Sequence, residues 1–422
     1  MIAAPTSGSG KTTIARGLMA LFTKKGFRVQ PFKCGPDYID TKFHTAVCHR
    51  PSINLDTFMA TSSHVKELFC HYGQDADICI VEGMMGLFDG YDRDRGSSSE
   101  IASLLRLPVV LVVDAKSAAY STAALISGFI HFREDVNIAG VIFNKVASER
   151  HFQMFQQVCE DLHTRCLGYL PKTTALEQGS RYLGLDFSQL PENEQLIALL
   201  EEHVDWERLS LLSTPLADTS DLSGEQQLSP VKNKTICIAR NAESFSFLYQ
   251  ENIDQYENAF FFDPEKDVPG LEDIDLLYLP GGYPEQHLEA LAANEAARAA
   301  IKEYAERGGR IMAECGGMMY LCEKIVSDEG EYPMCGVLPY TVSARTADRK
   351  LSLGYRQFTL DGVAFRGHEF HYTQFTTQPP SATQVYNAKG EPVTTPVFRY
   401  KNVLASYTHF YGYGILHHRP HR

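Results

Sequence analysis

Two short runs in the sequence carry residues whose types and spacing could do covalent chemistry. Near the start, "SGSGKTT" sets Ser7, Gly8, Gly10, Lys11, Thr12 and Thr13 between a short apolar strand at residues 2–4 and an amphipathic helical stretch. Glycines there let backbone N–H groups curl around an anion, and the helix N-terminus adds partial positive charge. This predicts a nucleotide phosphate loop that binds ATP: Lys11 reaches the β- and γ-phosphates and the Thr12 hydroxyl ligates Mg²⁺. In the second half, "MAECGGMMYL" places Cys315 between a strand-like run and a helical one. A residue at such a turn is pushed out of a sheet, and a helix N-terminus can bring a thiol pKa into the range of roughly 3.5–7.5. Cys315 is therefore read as a candidate nucleophile.

Each run needs companions. Asp37 and Asp40 in "FKCGPDYIDTKFH" and Glu82 in "ICIVEGMMG" stand after strand-like segments, where α/β sheets gather ligands; with Thr12 they form a candidate Mg²⁺ set. Asn144 in "VIFNKV" is placed to read an adenine edge. For Cys315, "LPGGYPEQH" offers Gly281 and Gly282, and one of their N–H groups together with that of Gly316 could make an oxyanion hole. Of the 15 histidines, His409 in "ASYTHFYG" is the candidate base, with His368 and His371 in "RGHEFHYT" as competitors. The HxxH spacing is a weak metal signal on a strand, because i and i+3 face opposite ways. The terminal "HHRPHR" reads as a mobile tail.

The elements that position these residues fall into two halves. "RVQPFKCG", "DICIVEGMMG", "PVVLVVDA" and "NIAGVIFNKV" are strand-like and alternate with helical patterns such as "TIARGLMALFTKKG", which predicts a parallel sheet covered by helices. Residues 213–234 are polar, rich in Ser, Thr and Pro, and lack a hydrophobic period. They read as a linker between domains at 1–212 and 235–422. Beyond them, "TICIAR", "AFFFD", "DLLYLPGGYPE", "GRIMAECGG", "GHEFHYTQF" and "VLASYTHFYG" are further strands, with helices expected over "FSFLYQENIDQYENA" and "GGMMYLCEKI".

At 422 residues the chain is too long for one ordinary core, so two or three domains are expected, and 44% hydrophobic content is that of a soluble globular protein. The charge of −13 argues against a general nucleic-acid partner, and anionic ligands must then be met by local basic clusters. Arg345, Arg349, Lys350 and Arg356 in "ARTADRKLSLGYR" form the densest of these. No run is long enough to span a membrane and no basic segment with an apolar core opens the sequence, so a cytoplasmic location without membrane partners is expected. The ten cysteines lack CxxC spacing and read as reduced.

"SGSGKTT", "PFKCGPDYID", "INLDTFM", "VEGMMGLFDG", "LPGGYPE", "ECGGMMYL", "LGYR" and "RGHEFHYT" occur in this order over nearly the whole chain. In this the sequence resembles the cobyrinic acid a,c-diamide synthases. The resemblance implies an N-terminal domain of the dethiobiotin synthetase and MinD-like type and a C-terminal class I glutamine amidotransferase domain. Pro5, where a strict GxxxxGK[ST] loop has its first glycine, agrees with that branch. The resemblance further implies Cys315 as nucleophile, His409 as base, and Asp37, Asp40 and Glu82 as Mg²⁺ and substrate-activation positions. Tyr38 and Ile39 would face a corrinoid substrate. Glutamine and ATP would be co-substrates, with ammonia passing through a sheltered route. Class I glutaminases usually carry a glutamate two residues after the histidine; here that residue is Tyr411, so the orienting partner of His409 is unidentified. Two other readings stay open: a nickel-sirohydrochlorin a,c-diamide synthase, and a MinD-like nucleotide switch. The switch usually has an extra lysine where Pro5 and Thr6 stand. Whether a second copy of the chain is a partner, as in a homodimer, is also left open.

Overall fold

In the computed structural model, residues 1–172, 192–212 and 231–411 are described. Most of the expected linker and the "HHRPHR" tail lie outside these residues. Contacts divide the chain into two compact units between Leu228 and Ser229, with Phe58–Ala60 grouped with the second.

In the first unit, seven short strands rich in apolar residues pair in parallel: β1 (Ile2–Ala3), β2 (Val29–Cys34), β3 (Ile53–Leu55), β4 (Ile78–Glu82), β5 (Val109–Asp114), β6 (Ile138–Val146) and β7 (Cys166–Pro171). Their order is β3-β2-β4-β1-β5-β6-β7. Alternate residues of one strand feed two cores. Val110 and Val112 pack with Ile14, Leu18 and Leu200 on one face. Leu111 and Val113 pack with Ile126, Phe152 and Phe155 on the other. Burial on both faces explains the continuous "PVVLVV" run, which has no polar alternation. The chain reverses winding direction at β1, so the crevice at the carboxyl ends of β1, β4 and β5 is where such a sheet binds ligands. Helix α1 (Lys11–Lys24) starts from that crevice, and α2 (Ile39–Cys48) follows β2.

The second unit is built on a six-stranded sheet. Strands β8 (Val231–Ala239), β9 (Tyr256–Phe262), β10 (Leu276–Leu279) and β11 (Ile311–Glu314) pair in parallel with one another and with Val403–Ser406, while Val397–Tyr400 closes the edge antiparallel. A five-stranded antiparallel sheet contains the hairpin Ser352–Leu360 and Val363–His371, and the strand His409–Phe410 pairs with the second arm. Phe358, Phe365 and Phe410 of that sheet pack on Ile236, Ile238 and Tyr278.

Two expected helices shrink. The stretch from Phe245 yields only the helix Gln250–Asp254, and β9 takes over at Tyr256. Its aromatic and apolar residues serve an edge strand there. The helix after Cys315 ends at Leu321, because Cys322–Val326 pairs with two strands. In both places sheet pairing overrides local propensity. Among the described residues no helix is long and apolar enough to cross a membrane.

Candidate active sites

The phosphate loop follows β1 as a tight turn. Gly8 and Gly10 have φ of +82° and +93°. At Gly10 a Cβ would lie 2.0 Å from Asn144 Nδ2, so only glycine fits both the backbone and its neighbour. Asn144 donates to the Ser9 carbonyl at 2.9 Å and accepts from Lys145 N–H at 2.9 Å. Its amide thus braces the loop. Lys145 Nζ reaches Asp114 at 2.6 Å and the Gly8 carbonyl at 3.3 Å, a second brace. Lys11 opens α1 and is buried, while Ser7 and Gly8 are exposed and Thr12 and Thr13 half-buried.

Beneath the loop lies a buried ionic cluster. Thr12 Oγ1 donates to Glu82 Oε1 at 2.5 Å. Lys33 Nζ, 2% exposed, donates to the same oxygen at 2.9 Å and to Asp40 at 2.7 Å. His44 Nε2 lies 2.7 Å from the other Glu82 oxygen, with its Nδ1 3.2 Å from Ser52 Oγ. Burial alone would raise the Glu82 pKa, but Lys33, His44 and Thr12 outweigh it and hold the carboxyl below the ordinary range. Lys33 is lowered by burial yet held well above its ordinary value by Glu82, Asp40 and Asp37. Asp40 is raised to about 6 by burial and by Glu82, against the pull of Lys33. When both acids are ionised, one ammonium faces two carboxylates, and a further cation would be accommodated. Asp37 is engaged differently: its Oδ1 accepts from the Ile39 and Asp40 amides at 2.9 Å each, capping α2. Tyr38 is buried and Ile39 half-buried at the start of that helix.

Among the described residues no group of three or more His, Cys, Asp and Glu is disposed to hold a metal by itself. The donor set of Thr12, Asp40 and Glu82 still fits Mg²⁺, which takes few protein ligands when phosphate oxygens complete its shell.

Cys315 has φ +43° and ψ −105°, a conformation costly for a residue with a Cβ and typical of a nucleophile forced out of a strand-to-helix turn. Its N–H donates to Ser406 O at 2.8 Å, and its carbonyl accepts from Met319 at 2.9 Å. A Cβ on Gly316 would stand 3.1 Å from Gly282 N, so these two backbones abut. A Cβ on Gly281 would lie 2.2 Å from Cε1 of His409. The "GG" pair is thereby wedged between the cysteine turn and the imidazole, and it brings Cys315, Gly282, Gly316 and His409 into one site. His368 pairs with His409 across two strands, whereas His371 is bound to Glu369 at 2.7 Å and stacks on Tyr407 at 3.6 Å.

The expectation of an acidic thiol is not met. Burial, joined by the charges of Glu285 and Glu369, pushes the Cys315 thiol well above its ordinary value, and the six-residue helix behind it is too short to offset this. His409 is lowered to about 3 by burial and by His368 and His371. The resting pair is thiol and neutral imidazole. The basic cluster does not assemble either: Arg345, Arg349 and Lys350 are exposed, while Arg356 is buried and ion-paired to Glu369. Strand alternation on Ser352–Leu360 turns Arg356 inward.

Residues 1–184 match the family model of the CobQ/CobB/MinD/ParA nucleotide binding domain, and residues 235–413 that of the CobB/CobQ-like glutamine amidotransferase domain. The chain is 40% identical to the cobyrinate a,c-diamide synthase of Caldanaerobacter subterraneus subsp. tengcongensis, covering 97% of this chain and 94% of that protein. It is 38% identical to the enzyme of the same name from Listeria monocytogenes serotype 4b, covering 98% and 96%. The hydrogenobyrinate a,c-diamide synthase of Brucella anthropi is also 38% identical, with 97% of each chain covered. The chain belongs to the cobyrinate and hydrogenobyrinate a,c-diamide synthase family. It carries the nucleotide-binding and glutamine amidotransferase domains of a glutamine-hydrolysing ligase.

Within this family member, sequence reasoning overlooked Lys33 and His44. Lys33 lies in "PFKCGPDYID", and a lysine between Phe32 and Cys34 in a strand-like run is the available signal. His44 lies one helical turn after Asp40, the spacing that puts both on one face of α2.

Proposed function

We propose that the chain amidates the a and c carboxylates of cobyrinic acid or its metal-free counterpart hydrogenobyrinic acid, using ATP and glutamine. The reading is carried by one observation: a braced phosphate loop over a buried acid–lysine cluster and a strained cysteine turn beside a histidine occur in one chain, each complete within its own unit.

At the phosphate loop, backbone N–H groups and Lys11 hold ATP. Thr12, Asp40 and Glu82 would hold Mg²⁺, which supplies charge neutralisation at the phosphate oxygens. A substrate carboxylate oxygen attacks the γ-phosphorus, the bond to ADP breaks, and an acyl phosphate forms. Ammonia attacks the acyl carbon, phosphate leaves, and the amide remains. Lys33, held charged, keeps Asp40 and Glu82 apart from their mutual repulsion before ligands arrive. Asp37 orders the first turn of α2, which carries Tyr38 and Ile39 toward the corrinoid.

At the cysteine, Cys315 Sγ attacks the side-chain carbonyl carbon of glutamine as its proton passes to His409. The oxyanion is met by the N–H groups of Gly282 and Gly316. His409 returns the proton to the leaving nitrogen, the C–N bond breaks, and ammonia departs. Water, deprotonated by His409, then splits the thioester to glutamate. Because the resting pair is neutral, proton transfer accompanies attack, and charge appears only as the reaction proceeds.

The test is to incubate the protein with cobyrinic acid, ATP, Mg²⁺ and glutamine and follow the corrinoid by mass spectrometry. Two successive replacements of hydroxyl by amino are expected. They should be lost in Cys315→Ala and restored by ammonium salts. An unchanged corrinoid, with glutamate still released, would retain the glutaminase and refute the substrate.

A further inference from the structure

A base that becomes an imidazolium needs a partner on its other nitrogen, and Tyr411 cannot supply a carboxylate where many glutaminases have one. Glu314 immediately precedes the nucleophile, at the end of β11, and is fully buried. Its Oε1 accepts from the Phe410 amide at 3.1 Å, which ties it to the strand carrying His409. Its Oε2 has no hydrogen-bond partner among the described residues and stands 3.8 Å from His409 Nδ1. A buried carboxyl oxygen left in this state calls for a reason, since such atoms are nearly always matched. The other buried carboxylate affecting His409 is committed elsewhere. Glu369 Oε2 accepts from Arg356 and Thr395, and its Oε1 meets His371.

Resting on the glutaminase reading above, we propose that Glu314 is the positioning acid for His409, supplied from the strand before the cysteine. Closing 3.8 Å to hydrogen-bond range takes a shift of about 1 Å, and such contacts commonly tighten only in the reacting complex. With Oε2 accepting from Nδ1–H, the imidazole presents Nε2 to the thiol in the basic tautomer. The imidazolium formed on attack counters the burial that holds the resting Glu314 carboxyl well above its ordinary range, so the pair becomes charged only as the reaction proceeds. Around the carboxyl, Asn252 Nδ2 donates to the Phe410 carbonyl at 3.1 Å and to Tyr278 Oη at 3.2 Å, fixing residues that neighbour Glu314.

The experiment compares full-length wild type and Glu314→Gln in two assays: glutamate release from glutamine, and amidation driven by ammonium salts. The amide is isosteric and keeps an oxygen for Phe410, but places NH₂ against Nδ1 and favours the wrong tautomer. The expected result is a fall in glutaminase kcat of roughly 10²–10⁴-fold with KM little changed, and ammonia-driven amidation within about twofold of wild type. A residue with a merely structural role would lower both activities together or neither, and either pattern overturns the proposal. Wild type that releases no glutamate, while ammonia-driven amidation proceeds, overturns the cysteine–histidine reading itself and this role with it. A measurement that does not use the Glu314 variant guards against that variant's failing to fold. After alkylation of Cys315 by a glutamine-like diazoketone, the His409 Nδ1 proton should appear as a strongly downfield resonance that is missing in His409→Asn. Its absence from wild type would equally overturn the proposal.

Discussion

The two candidate sites solve opposite electrostatic problems. Under the phosphate loop, full charges are already present and paired before any ligand binds: Lys33 stands between Glu82 and Asp40, and His44 backs Glu82. Around Cys315 the reacting groups are held neutral, with the thiol pushed up and the imidazole down. The first arrangement suits a polyanion and cation arriving together, because fixed charges replace their hydration without reorganisation. The second suits a reaction that creates charge, because a desolvated neutral pair resists wasteful ionisation until glutamine is in place. A single chain can thus use burial for contrary ends, according to whether opposite charges are buried with one another.

The sharpest way to separate the sites is Cys315→Ala. Glutamine-dependent amidation should fall by roughly 10⁴-fold or more, while ammonium-driven amidation, read by corrinoid mass, is retained. Equal loss of both would break the division between charged and neutral sites. Lys33→Met probes the charged side. Removing the only lysine contacting Glu82 and Asp40 among the described residues should cost about 3–5 kcal/mol of stability, measured by urea unfolding. Added Mg²⁺ should restore more stability to this variant than to wild type if the same carboxylates accept the ion. A cost within 1 kcal/mol, on the order of a surface pair, would show that the cluster is solvated. Gly281→Ala probes the neutral side: its Cβ, 2.2 Å from the imidazole, must displace His409. A fall of about 10²-fold in glutaminase kcat is expected for an ångström-scale misplacement, with ATP-dependent chemistry on ammonia spared. Asn144→Ala should act least, raising the ATP KM several-fold for the loss of about 1 kcal/mol of loop bracing.

The pH dependence of glutaminase kcat/KM sharpens the contrast further. Protonation removes His409 as a base, and its pKa is lowered to about 3. Activity should therefore persist as pH falls through the ordinary histidine value of about 6.5. An acid limb near that value would show that His409 is solvated in the free enzyme.

Local chemistry was legible from the sequence wherever it was contiguous. "SGSGKTT" after an apolar strand specifies a phosphate loop because glycine, lysine and threonine act within one turn. "AECGG" specifies a tight strand-to-helix turn because small residues must follow a nucleophile pushed out of a sheet. The alternation of apolar and amphipathic segments likewise determined the parallel sheet of the first unit. Less legible was the second unit, where the strand expected at "AFFFD" begins three residues earlier, at Tyr256 inside the expected helix, since pairing with β8 outweighs local preference.

What only the tertiary structure decided is which charges meet. Lys33 joins Glu82 and Asp40 from separate elements, Arg356 turns inward to Glu369, and Glu314 comes opposite His409 across 95 positions of chain, the difference between their residue numbers. The sign of the thiol shift followed the same logic: helix position predicted an acidic thiol, and burial beside Glu285 and Glu369 reversed it. Backbone turns depend on adjacent residue types, which a sequence states outright. Electrostatic balance depends on distance and desolvation, which arise only when remote segments pack.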